Sequence, residues 1–207
     1  MMIKARGPIW HKKQKEKGII PEGLRGLDQE ATWGKSNADG WVYGHGSFSI
    51  TSYSTPIVGL FQWMPNKAHE GKRLKAEIVK FEGVVKKVFM DSRADDQNLY
   101  FRLKKDYGIQ LVTKLRKNMD KSASRQKMIK QMLTKSNVKD YKKRSTTVEP
   151  MQGLVKEIFD LDSCWMRGDA NNRWSFAAMG IAIQMAQWKA VKHKTSTWQI
   201  KNDVLGL

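Results

Sequence analysis

The sequence predicts an α/β layered domain built on a mixed sheet. Three observations predict it. Residues 41–50 alternate large apolar with small or polar side chains, and a second apolar run follows at 57–63. Two more strand-like runs, Val84 to Met90 and Ile109 to Leu115, are each preceded by a segment of helical period. From Thr147 onward the apolar spacing is helical. The order hairpin, helix, strand, helix, strand, helices is that of a sheet covered by helices.

Each element has its own reason. Residues 4–39 are rich in Lys and Gly, and Pro8, Gly18, Pro21, Gly23, Gly26 and Gly34 break any period, so residues 1–39 read as a basic irregular arm or insertion. Trp41 to Ile50 and Ile57 to Trp63 read as an antiparallel hairpin joined by the turn Ser52 to Pro56. Asn66 is a cap candidate for a helix over 67–81, with Leu74, Ile78 and Phe81 on one face and Gly83 as its stop. A helix over 96–107 ends at Gly108. Residues 114–144 hold twelve Lys or Arg against two Asp, and Met128, Ile129, Met132 and Leu133 mark a short amphipathic helix inside that block. It is either a solvated helical insertion (about 116–144) or a surface that tracks a phosphate backbone. Val148, Met151, Val155 and Ile158 then define a helix whose first turn tolerates Pro150. Residues 161–172 read as a link, Trp174 to Trp188 as a buried closing helix, and 191–207 as a tail, leaving 40–190 as the main domain.

Composition narrows the function. A formal net charge of +18 on 207 residues favours a polyanionic partner, since each phosphate neutralised releases counterions. Cys164 is the one cysteine, which excludes an internal disulfide and a cysteine-based zinc site and fits a reducing cytoplasm. His11, His45, His69 and His193 lack metal-ligand spacing. The longest apolar stretch, Trp174 to Met185, falls short of the ~20 residues that cross a bilayer, so no membrane partner is expected.

Two acids stand apart from the basic background. Asp91 closes the apolar run at 84–90 and Glu149 opens the later helix. A carboxylate at a strand end and another on a helix are the oxygen ligands that Mg²⁺ or Mn²⁺ takes. Such ions activate the attacking oxygen and stabilise the leaving oxygen of a phosphodiester. Spacing alone leaves the ordinary alternatives open: an Asp after a strand also caps a turn, and a Glu in a first helical turn also complements the helix dipole. Tyr141, Arg144 and Lys156 flank the glutamate, where Arg grips phosphate in two bonds and Lys acts as a point charge.

Tyr141-x-x-Arg144, Val148-Glu149 and Lys156 together resemble the signature of DDE insertion-sequence transposases, with one residue more between Arg144 and Glu149 than its commonest form. Val88-Phe-Met-Asp91-Ser-Arg-Ala-Asp-Asp resembles the second-aspartate region of that family, and Trp41-Val-Tyr-Gly-His-Gly46 its strand after the first aspartate. The resemblance implies a ribonuclease H-like mixed sheet flanked by helices, with the basic insertion lying between the last strand and the Glu-bearing helix. It implies Asp91 rather than Asp95 or Asp96, together with Glu149, as catalytic and metal-holding residues, and Tyr141, Arg144 and Lys156 as contacts to transposon-end DNA. The implied activity is cleavage of transposon ends and transfer to target DNA. The implied partners are DNA, as transposon ends and target, and a second copy or full-length transposase, and the implied location is the cytoplasm in association with the nucleoid.

In that family the first Asp lies on a strand just upstream of a segment like Ile3-Lys4-Ala5-Arg6-Gly7. Here the first acidic residue is Glu16 and the first Asp is Asp28, and Asp28 and Asp39 sit in irregular sequence. The expectation is a truncated copy, its first strand largely missing, that binds DNA and cleaves little or not at all. The alternatives are a non-catalytic basic nucleic-acid-binding protein and a fragment that inhibits intact transposase.

Overall fold

The computed structural model describes residues 1–36, 40–116 and 122–206. Asp39 and residues 117–121 of the basic stretch therefore lie outside the described residues. The chain is α/β and forms two compact units, residues 1–67 with 147–207, and residues 68–146.

The first unit is organised by β3 (Gly40–Thr51), whose length lets two strands share one of its edges. β2 (Thr32–Ser36) pairs with residues 40–44 and β4 (Val58–Pro65) with 45–51, both antiparallel. β1 (Met2–Lys4) takes the opposite edge at 44–46. The expected hairpin is thus β3–β4. Residues 1–39, read as an irregular arm, also contribute two strands and the short helix α1 (Lys12–Glu16). What the sequence hid is the anchoring: Trp10 is buried with Ala31 and Tyr43, and its indole N–H donates to Ile19 O at 2.8 Å. A buried indole needs such a partner, and here the loop supplies it.

Gly44 lies where β1 and β2 flank β3 together. A Cβ there would overlap the Ile3 carbonyl oxygen and stand 2.7 Å from the Ala5 amide nitrogen. Gly44→Ala is therefore expected to cost about 1–3 kcal/mol, as overpacking does. A thermal midpoint unchanged from the parent would contradict this.

α6 (Val148–Ile158), α7 (Asp169–Lys192) and α8 (Lys201–Leu205) complete the unit. Met151, Val155 and Ile158 of α6 join Phe61 and Trp63 of β4 and Phe176, Met179 and Ile183 of α7 in one core. Gly180 lets α7 lie close on β4, since a Cβ there would be 3.1 Å from Phe61. The buried Gln187 accepts from Val58 N at 2.8 Å and donates to Pro56 O at 3.0 Å, fixing the start of β4. The closing helix is longer than its apolar run suggested and only one face is buried; Trp174 and Trp188 are exposed. Beyond α7 the tail is packed at Ile200. Among the described residues no helix is long and apolar enough to cross a membrane.

The second unit holds α2 (Glu70–Glu77), β5 (Lys87–Met90), α3 (Gln97–Tyr107), β6 (Gln110–Thr113), α4 (Ala123–Met132) and α5 (Lys135–Lys142). β5 and β6 pair in parallel, Lys87 with Gln110 through Met90 with Thr113, with α3 as the crossover. Antiparallel and parallel pairing thus both occur, each in its own sheet. β5 is shorter than its apolar run because Val84 is exposed in the turn before it. Asp96 caps α3 by accepting from Asn98 N and Leu99 N, and Gly108 closes it at φ 66°.

Candidate active-site carboxylates and basic surface

Three aspartates follow β5 within six residues, and their surroundings separate them. Asp96 is spent on capping α3. Asp95 is buried: its Oδ2 takes Arg125 Nη2 at 2.5 Å and the Arg116 amide at 2.7 Å. Asp91 stands at the C-terminal end of the strand in extended backbone, half-buried, with Oδ1 accepting from Arg93 N at 2.8 Å. Of the three, Asp91 is the carboxylate least committed to the fold.

The turn that carries Asp91 is braced from the far side of β6. Arg116 donates from Nε to Ser92 O at 2.7 Å and from Nη2 to Arg93 O at 2.5 Å, while its own amide binds Asp95. One residue thereby fixes residues 92–95 relative to the end of β6. Sequence reading gave no signal for it, because one more arginine in a basic stretch looks like surface charge.

In the same unit, Tyr141 sits in the last turn of α5 and Arg144 in the 3₁₀ turn after it. Arg144 Nη1 donates to the Tyr141 hydroxyl at 3.1 Å, and the guanidinium lies 5.7 Å from the ring centre. The two form one half-buried group. Lys127, Lys130, Lys135, Lys139 and Lys142 line the surfaces of α4 and α5. Glu149 and Lys156 belong to the first unit. Glu149 is exposed in the first turn of α6, and Lys156 is half-buried seven residues on, nearly two turns, so both lie toward one side of that helix.

The first unit also contains a buried polar cluster absent from the sequence expectations. Asp28 Oδ1 accepts from the amides of Glu30 and Ala31, both at 3.2 Å. Its Oδ2 accepts from His45 Nε2 at 2.9 Å and from Gly168 N at 3.0 Å. The Trp63 indole donates to His45 Nδ1 at 3.0 Å, which assigns the ring hydrogen to Nε2. Burial alone would raise the Asp28 pKa, but the His45 and Gly168 hydrogen bonds outweigh it and hold it below its ordinary value. Asp169, 3.5 Å from His45 Nδ1, is pushed up by burial. Nearby, burial pushes the Cys164 thiol up to about 12, which leaves it a packed, unreactive group.

With four hydrogen bonds, Asp28 has no oxygen left for a metal. It and Glu30, which accepts from Asp169 N at 2.6 Å, satisfy the first amides of α7. Such amides have no partner within the helix, and carboxylates also complement its dipole. Among the described residues no group of three or more His, Cys, Asp or Glu is arranged to hold a metal ion.

The family model of a transposase DDE domain matches residues 21–163. That span includes Asp91, Tyr141, Arg144, Glu149 and Lys156. No curated relative and no solved structure matches the chain. With more than half of its residues matched by that one model, from the arm through the Glu-bearing helix, the chain belongs to the transposase DDE domain family.

Proposed function

We propose that the chain takes part in DNA transposition by metal-dependent phosphodiester chemistry, with Asp91 and Glu149 as the carboxylates that hold Mg²⁺ or Mn²⁺. The observation that carries this reading is the family match across residues 21–163, which spans both acids. The fates of the neighbouring acids support it: Asp95, Asp96 and Asp28 are occupied by structural hydrogen bonds, whereas Asp91 keeps an oxygen and Glu149 is exposed. Carboxylate oxygens are the donors these hard cations take, so each of the two residues has the chemistry of a ligand. When bound, the ions would supply charge stabilisation and activation of the attacking oxygen.

The rest of the chemistry belongs to the protein. Arg116 holds the turn that orients Asp91. Arg144, kept in place by the Tyr141 hydroxyl, would grip a phosphate of the transposon end, and Lys156 would add a point charge. The order of elements, antiparallel β1–β3–β4 followed by the parallel β5–α3–β6, supports a ribonuclease H-like catalytic domain. With Asp91 and Glu149 as the two assigned carboxylates, slow cleavage with retained DNA binding is expected of this chain alone.

Mn²⁺ titration followed by spin resonance, beside DNA binding measured over a salt series, tests the reading. Asp91→Asn and Glu149→Gln should each weaken Mn²⁺ binding about tenfold or more, in the range seen on loss of a metal ligand or its support. DNA affinity should hold in both. Arg144→Ala should lower the salt slope of DNA binding by about 1. Metal binding unchanged in both carboxylate variants would reject the assignment and favour a non-catalytic DNA-binding protein, to which the charge of +18 also points.

A further inference from the structure

α7 is apolar on two opposite faces. Phe176, Met179, Ile183, Ala186 and Ala190 lie in the core on one side. On the other side Trp174, Ile181, Met185 and Trp188 are 71%, 57%, 66% and 67% exposed. With the half-exposed Ala178, these residues recur at intervals of 4, 3, 4 and 3. That is the seam spacing of two helices packed at a shallow angle. A helix apolar on all sides is one buried on all sides, so the second stripe calls for a cover.

The stripe is close to symmetric about Ile181, with a Trp seven residues to either side. A two-fold axis at Ile181, with the helices antiparallel, sets Trp174 of one copy beside Trp188 of the other. It also sets the large Met185 opposite the small Ala177 and next to Ala178, the alternation that lets facing rows interdigitate. Of the charges that border the stripe, Arg173 stacks over Trp63 at 4.4 Å, Lys189 pairs with Asp203 at 2.5 Å and Lys192 lies over Trp188 at 5.4 Å. From Trp174 to Trp188 the seam positions themselves are apolar, so an apolar helix finds a continuous strip. The exposed tryptophans present roughly 300 Å² per copy. With Ile181 and Met185 a paired interface reaches about 1,000 Å², the lower end of what specific association needs.

We propose that the exposed stripe of α7 is a homodimer interface, in which two copies of the chain pair their α7 helices antiparallel about Ile181. The inference is independent of the metal chemistry, since it uses none of the proposed site residues.

Sedimentation of the purified chain at high salt, where nucleic acid is stripped away, should give a dimer. Ile181→Glu should convert it to a monomer with unchanged helix content, because the position is exposed in the single chain. Single-cysteine probes then read the geometry, with the buried Cys164 unable to compete. Ile181→Cys should form a cross-linked dimer on mild oxidation. Trp174→Cys should cross-link when mixed with Trp188→Cys and not with itself. A monomeric parent chain, a dimer indifferent to Ile181→Glu, or Trp174→Cys linking to itself would each overturn the proposal. The first of these would assign the stripe to a different cover.

Discussion

Arg125→Met is expected to destabilise residues 68–146 by about 3–5 kcal/mol, the cost of leaving a buried charge without its partner. The side chains of Arg125 and Asp95 are 2% and 0% exposed and meet at 2.5 Å. Their burial is not fully compensated, for Asp95 Oδ1 and Arg125 Nε have no hydrogen-bond partner. The pair is thus better described as mutually dependent than as strongly stabilising. Adding Asp95→Asn to Arg125→Met should recover most of the loss. No charge then remains buried, and the amide oxygen still accepts from Arg116 N. Amide hydrogen exchange along β5 and β6 would read both effects locally. A single variant as costly as the double would show that packing, not charge, sets the loss. Because Arg116 and Asp95 together hold the turn after β5, Arg125→Met should also weaken the Mn²⁺ binding assigned to Asp91.

Asp28→Ala is expected to cost the first unit a similar amount, about 3–5 kcal/mol, because four buried or partly buried donors lose one acceptor group. The loss falls on the junction of three segments: the 28–31 loop, His45 in the middle of β3, and the N-terminus of α7. The acid dependence follows from the lowered Asp28 pKa. A carboxylate held below its unfolded value of 3.8 contributes stability that is complete above that value and disappears as pH falls through the lower, folded one. The parent chain should therefore lose thermal stability on that acid limb, and Asp28→Ala should flatten it. Parallel acid limbs in parent and variant would show that Asp28 is not the group responsible.

The elements were legible where local pattern decides them. β3, β4, α3 and α6 follow from alternation, helical spacing and the Gly108 stop, all set within a dozen residues, whereas the Asp96 cap emerged only in the structure. Residues 1–39 were less legible. Their strands are short, Trp10 and Ala31 are buried only because Tyr43 lies in β3 to receive them, and no local period records that. The site behaved in the same way. Asp91 and Glu149 stand out in the sequence as acids at element ends, and Tyr141, Arg144 and Lys156 as residues flanking the glutamate, but the hydrogen bond that joins Tyr141 to Arg144 has no sequence signal. Arg116 and Arg125 were hidden among twelve basic residues, since identical side chains there have opposite fates.

By itself the sequence determined the α/β class, the charge of +18 and the match to the transposase DDE domain family. Only the tertiary structure decided which acids are spent on the fold. Asp95 is neutralised by an arginine 30 residues away, and Asp28 caps a helix 140 residues away. The tertiary structure also decided that α7 buries one apolar face and leaves the other in water. The physical reason is common to all three. Helix and strand formation is set by neighbours along the chain, whereas burial, hydrogen-bond satisfaction and exposure depend on residues that folding brings from far along it.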